Sequence, residues 1–143
     1  MQQPPDTAFT VRFKPVKPAR HFKAWGWEDR VVNNEFFCCK YLHFFKGAAF
    51  SNHFHDKKNE YFYCTSGLFS VTIIDTATAD RHEFFLKPGH GMMIPRLTPH
   101  KVVCLEEGEI QETSTQHFEE DSFRVEKGDS QNVQPPTEED GTF

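Results

Sequence analysis

The segment His53-Phe54-His55-Asp56-Lys57-Lys58-Asn59-Glu60 constrains the fold more than any other part of the chain. It sets two imidazoles two residues apart and then a carboxylate after a polar stretch. In a strand, side chains alternate with a period of two, so His53 and His55 face one side with roughly 7 Å between their Cα atoms. Two rings so placed can reach one ion. Glu60 lies seven residues beyond His53; on one straight strand it would sit on the opposite face, roughly 23 Å away. The chain must therefore turn between them. Asp56 to Asn59 is polar with turn-favouring ends, and Glu60-Tyr61-Phe62-Tyr63-Cys64-Thr65 reads as a new β-rich run ending at Gly67. The reversal returns Glu60 to the two histidines.

A second segment follows the same logic. Lys87-Pro88-Gly89-His90-Gly91 is dense in turn formers, Met92-Met93-Ile94 is a short apolar strand, and Pro95 to Pro99 bends again. His100-Lys101-Val102-Val103-Cys104 then starts a strand on which His100 faces inward with Val102 and Cys104. Elsewhere, strands are predicted over Arg30–Asn34 with its turn, Phe36–Phe45, Leu68–Asp75, His82–Leu86 and Ile110–Thr115, with a turn at Thr76–Asp80 and a cap at Phe118–Asp121. No helix longer than a turn or two is predicted. Residues 1–20 carry four prolines and are read as an extended N-terminal arm, with Ala8 to Phe13 its most strand-like part. Residues 21–127 form the domain. Residues 128–143, poor in apolar side chains, are read as a disordered acidic tail.

At 143 residues the chain is expected to hold one core. Sixteen Phe, two Trp and three Tyr predict a core aromatic in volume rather than rich in Leu. The net charge of −5 argues against a nucleic-acid surface. No apolar run approaches the roughly 18 residues of a membrane span, and the N-terminus lacks a secretory apolar stretch. A cytoplasmic protein is expected. The four cysteines, Cys38, Cys39, Cys64 and Cys104, form no C-x-x-C and are read as reduced, buried side chains, although Cys64 and Cys104 share the inward face.

Gly47, His53, His55, Glu60 and Gly67, at intervals of five, one, four and six intervening residues, match the first motif of the cupin superfamily. Gly89, Pro95 and His100 match most of the second, with Leu97 where a glycine usually stands. The chain thus resembles that superfamily from about Trp25 to Arg124. The resemblance implies an all-β double-stranded β-helix, a jelly roll, with one divalent transition metal (Zn, Mn, Fe, Ni or Co) bound by His53, His55, Glu60 and His100. The words Lys23-Ala24-Trp25-Gly26-Trp27-Glu28 and Glu112 to Arg124 are similar to cupins of the mannose-6-phosphate isomerase and sugar-nucleotide group, in which a proline usually precedes the Trp-Gly.

That likeness implies aldose–ketose isomerisation of a sugar or sugar phosphate through a metal-stabilised enediolate. Lys58 and Arg124 are the candidates to bind substrate, Arg124 because a guanidinium matches phosphate oxygens, and Glu112 and His117 are the candidate catalytic acid–base groups. Two other readings share the ligand set. An octahedral ion with four protein ligands keeps two open positions, which an Fe(II) dioxygenase would use, and a non-catalytic sugar-binding module would bind without turnover. His43, His82 and His90 are read as solvent-facing or hydrogen-bonded, Lys57 and Lys58 as a solvated turn that beside a metal could also meet an anionic ligand, and Trp25 and Trp27 as core or lid. The expected partners are a small molecule and a second copy of the chain in a homodimer.

Overall fold

Every second side chain of the third strand turns inward: Cys38, Lys40, Leu42 and Phe44 are buried, and the residues between them are half-exposed. This alternation recurs along the chain and builds the walls of an all-β jelly roll. The computed structural model describes residues 2–128, so the tail expected over 128–143 lies, apart from Gly128, outside the described residues. A short helix, α1 (Ala8–Arg12), precedes nine strands: β1 (Ala19–Lys23), β2 (Gly26–Asn33), β3 (Cys38–Phe44), β4 (Asn52–Phe54), β5 (Glu60–Ile74), β6 (Arg81–Leu86), β7 (Gly91–Ile94), β8 (His100–Ser114) and β9 (Phe123–Glu126). Strand neighbours run in the order β1-β2-β3-β8-β4-β9, with β5 pairing β6, β7 and β8, and every pairing is antiparallel.

The ribbon formed by β5 and β8 positions the site. Glu60 is registered with Ser114 at one end and Ile73 with His100 at the other. A straight ribbon would leave these ends roughly 43 Å apart. The ribbon instead folds over on itself at register shifts between Cys64 and Phe69. Inward residues change there from the even set Glu60, Phe62 and Cys64 to the odd set Phe69 and Val71, as one extra residue requires. Gly67 makes the corner possible. It has φ 82°, and a Cβ there would lie 2.6 Å from the Glu106 carbonyl oxygen. The corner brings Glu60 back over His100.

The core fills the part of the barrel behind the site. Trp25 stacks on Phe44 at 4.5 Å, Phe44 meets Phe69 edge-on at 5.3 Å, and Phe50 and Phe62 close the layer against His100. The aromatic expectation is met in part only. Phe44, Phe50, Phe62 and Phe69 are the buried phenylalanines among the described residues, and Phe9, Phe13, Phe36, Phe84 and Phe85 are exposed.

Several local expectations change. Ala8 to Phe13 is helical at Ala8–Arg12, because Thr7 and Thr10 form a reciprocal capping box locally, whereas a strand there would need a partner edge. The sheet begins at Ala19, paired with Arg30, two residues before the expected boundary. The strands expected as Glu60–Thr65 and Leu68–Asp75 are one bent strand, as are the two expected from His100 and from Ile110. Strand β9, which pairs with β4, was not anticipated. All four cysteines are free. No helix among the described residues is long and apolar enough to cross a membrane.

Leu97 occupies a left-handed conformation with φ 63°, and its N–H donates to the His55 carbonyl at 2.6 Å. The turn thus keeps a glycine-like backbone without glycine, at a cost of about 1–2 kcal/mol for a Cβ in that region. Its side chain is 49% exposed, so little packing offsets this. Leu97→Gly is expected to raise stability by about 0.5–1 kcal/mol in chemical denaturation. A clear loss would show that the leucine side chain holds the loop.

Candidate metal centre

His53 of β4 lies directly opposite His100, the first residue of β8. His55 follows β4 and Glu60 opens β5, so the intervening turn decides whether the four meet. It is held from outside. The buried Asp121 carboxylate accepts the N–H groups of Asp56 at 2.8 Å, Lys57 at 3.1 Å and Lys58 at 3.1 Å. Asn59 accepts the Arg96 N–H at 2.9 Å and exchanges bonds with Thr115.

The result is one cluster. Ring nitrogens of His53, His55 and His100 lie within 4.8 Å of one another. Glu60 places Oε1 at 3.3 Å from His55 Nε2 and Oε2 at 3.0 Å from His100 Nε2. Each ring donates its Nδ1–H to a backbone carbonyl: His53 to Ser51 at 2.7 Å, His100 to Thr98 at 2.8 Å, and His55 to Asp121. In the neutral rings this fixes the tautomer and leaves Nε2 as a lone pair.

Those lone pairs meet the lone pairs of Glu60. His55 Nε2, His100 Nε2 and Glu60 Oε2 are buried without a hydrogen-bond partner. Acceptors facing acceptors in a dry interior repel unless a metal cation or a proton lies between them. Three imidazoles and a carboxylate, each ring anchored through its other nitrogen, fit a divalent transition ion.

In the metal-free chain protons take part of the cation's place. Burial, aided by His100, pushes His53 down to about 3, so its ring is neutral at pH 7. Burial also lowers His55, but the Glu60 carboxylate outweighs it and raises the group. Glu60, raised by burial, is held well below the usual carboxylate range by His100, His55 and Lys58.

Beside the cluster lies a second set of charges. The buried Lys58 ammonium donates to Glu60 Oε1 at 2.9 Å and to Glu112 Oε2 at 3.4 Å. One ammonium serves two buried carboxylates, and Glu60 holds it more closely. Glu112 is therefore pushed up by burial more than Lys58 pulls it down. His117 accepts from both Lys40 and Lys58 at Nδ1, each at 3.4 Å, and burial beside these lysines pushes it down to about 4. Both sets line one cavity of about 360 Å³, with Arg124 and Ser122 of the C-terminal segment at its wall.

All eight residues singled out from sequence line this cavity or its floor: His53, His55, Glu60, Lys58, Arg124, Glu112 and His117 line it, and His100 sits beneath. Lys58 is buried in an ion-pair network rather than solvated, whereas Lys57 lies over the Phe118 ring. His43 stacks on Trp27, and His82 and His90 are exposed. Sequence reading missed Lys40, Glu28 and Asp121. Lys40 was legible, since it alternates with Cys38, Leu42 and Phe44 on an inward face. Asp121 acts through loop contacts that leave no periodic signal.

A pH dependence follows. His53 and His117 sit at about 3 and about 4 in the folded chain, against 6.5 ordinarily. The unfolded chain therefore binds more protons between those values, so their contribution to stability is complete above about 6.5 and is lost as pH falls toward 4 and then 3. His55, raised by Glu60, and Glu112, raised by burial, oppose this, while His21, lowered by burial, adds a third ring to His53 and His117. The urea midpoint of metal-free protein is expected to fall steadily from pH 6.5 to 4. A flat profile over that range would contradict the burial of the two rings.

Comparison with known proteins adds the family. A family profile described as "Cupin domain" matches residues 41–114. No curated protein matches the sequence. Among solved structures, Bacillus subtilis oxalate decarboxylase superposes with a TM-score of 0.69 at 20% identity, over 76% of this chain and 30% of that one. Another structure of that enzyme, described for its Mn(II) centres, gives 0.67 at 20% identity with the same coverage. KdgF from Halomonas sp. gives 0.56 at 19% identity, over 65% of this chain and 80% of that one. The chain thus spans about a third of the decarboxylase, and at these identities the likeness concerns the fold.

Proposed function

This chain belongs to the cupin domain family, and from that premise we propose that it is a metal-dependent cupin acting on a sugar or sugar phosphate by aldose–ketose isomerisation. The observation that carries the reading is Glu112, a buried carboxylate on the cavity wall, raised above its usual range and joined through Lys58 to Glu60. A divalent ion held by His53, His55, Glu60 and His100 would supply a Lewis-acid centre for a carbonyl and its neighbouring hydroxyl. Glu112 would take the proton from one carbon and return it to the next, since a raised carboxyl is suited to proton transfer near neutrality. Lys58 would keep Glu112 within reach of its charged form, and His117, neutral at pH 7, would present Nε2–H to a substrate oxygen. Arg124 would meet a phosphate or sugar hydroxyls at the wall.

The test incubates protein loaded with Zn, Mn, Fe(II), Co or Ni with aldoses and aldose phosphates in D₂O and follows the products by NMR. Ketose formation with solvent deuterium at its C1, abolished in Glu112→Gln, is the expected result. Oxygen uptake confined to the Fe(II) form would replace the reading with an oxygenase. Saturable sugar-induced stabilisation without turnover would replace it with a binding module. The reading includes a homodimer, supported by Tyr61, Tyr63 and Met93 left 38–59% exposed on one outer face. Light scattering should give twice the 16.7 kDa chain mass.

A further inference from the structure

Building on the metal-centred reading above, we propose that Lys40 is the seat for an anionic group, a carboxylate or a phosphate, on the small molecule that enters the cavity. Lys40 is only 5% exposed, yet it lines the cavity. Its ammonium has three N–H donors. Among the described residues its one hydrogen bond is to His117 Nδ1, at a long 3.4 Å, and that acceptor is shared with Lys58. No carboxylate oxygen among the described residues lies within 4 Å of it. Buried charges are ordinarily paired.

The carboxylates nearby bind other cations more closely, although Lys40 is the strongest charge holding Glu28 down and also pulls on Glu112. Lys40 is registered between Arg30 on β2 and Glu112 on β8. Glu28 binds Arg30 at 2.7 Å, and Glu112 faces Lys58 at 3.4 Å. Basic side chains on the lining outnumber acidic ones by five to four, and a divalent ion at the histidines would add two more positive charges. Among the described residues none completes Lys40, and the entering molecule is the counter-ion assigned to it here. Its position on the same cavity as the histidine cluster ties it to the molecule that reaches the metal. This chemistry selects acidic over neutral sugars.

The test compares full-length wild type with Lys40→Met, which keeps the length of the side chain and removes its charge. Melting is followed in sodium chloride, sodium acetate and inorganic phosphate at matched ionic strength, with metal content measured on the same samples. Acetate or phosphate should raise the melting temperature of wild type saturably above the chloride control, and Lys40→Met should lose that shift while keeping the wild-type metal content. The anion giving the larger shift separates a carboxylate from a phosphate. In chloride alone Lys40→Met should melt close to wild type, because the cost of burying the ammonium offsets its longer-range attraction to Glu28 and Glu112. Lys40→Arg should retain the response. Equal shifts in wild type and Lys40→Met, no shift in either, or a Lys40→Met protein much less stable in chloride would each overturn the proposal. Wild type without bound divalent metal would overturn the metal reading alone, and the anion response would still decide the role of Lys40.

Discussion

His100→Ala is expected to purify as a folded barrel without stoichiometric metal. His100 is 1% exposed, its Nδ1–H is committed to Thr98, and its Nε2 faces Glu60 at 3.0 Å with no hydrogen-bond partner. Removing it takes one donor of four from a cluster whose geometry β4, β5 and β8 fix rigidly. The loss in affinity should exceed the roughly 10–100-fold that follows loss of an outer-shell partner. The fold should survive, because the aromatic core behind the site does not depend on the imidazole's charge. The hole left behind should cost about 2–3 kcal/mol, partly recovered as the confrontation of acceptors disappears. Elemental analysis beside far-ultraviolet circular dichroism checks both halves. Wild-type metal content in the variant would show that the ion is held elsewhere. Metal-loaded wild type taken to low pH should release its metal, since protons compete for the imidazole lone pairs.

The second large effect is expected at a residue that touches neither metal nor cavity ligand through its side chain. Asp121 is 3% exposed, and its carboxylate collects three consecutive N–H groups of the turn between His55 and Glu60. Its own carbonyl accepts the His55 Nδ1–H. One residue thus sets both the tautomer of His55 and the path of the chain from His55 to Glu60. Asp121→Ala strands those donors, of which the Lys58 N–H is buried, and should cost about 2–4 kcal/mol. Metal affinity should fall at least roughly tenfold as His55 and Glu60 lose registration. Asp121→Asn keeps one acceptor oxygen and should lose less on both counts. Urea unfolding with metal titration measures the two effects. A variant within about 1 kcal/mol of wild type would mean that water replaces the carboxylate and that the turn holds itself.

The two predictions differ in how far the sequence foretold them. His53, His55, Glu60 and His100 were legible because strand alternation, a forced turn and the motif spacing all act over short separations. Lys40 and Glu112 were legible in principle by the same alternation, as charged residues at inward positions of β3 and β8. Alternation says which way a side chain points but not what it meets. The conversion of Lys58 from a turn lysine into a buried bridge between Glu60 and Glu112 depends on where β8 lies relative to β5.

Local periodicity and turn chemistry therefore determined most of the strands and their inward faces, and the motif spacing carried the resemblance to the family with its ligand candidates. The meeting of Glu60 with His100 was decided only by the folded-over β5/β8 ribbon, whose corner needs one extra residue and a glycine at Gly67 to let two backbones touch. The roles of Asp121 and Lys40 were likewise decided only in three dimensions. Asp121 works through partners more than sixty residues away, and Lys40 is conspicuous only by the absence of a carboxylate within 4 Å among the described residues. Short-range patterns record the direction of each side chain, while pairing and desolvation depend on contacts distant in sequence, and these set the chemistry of the cavity.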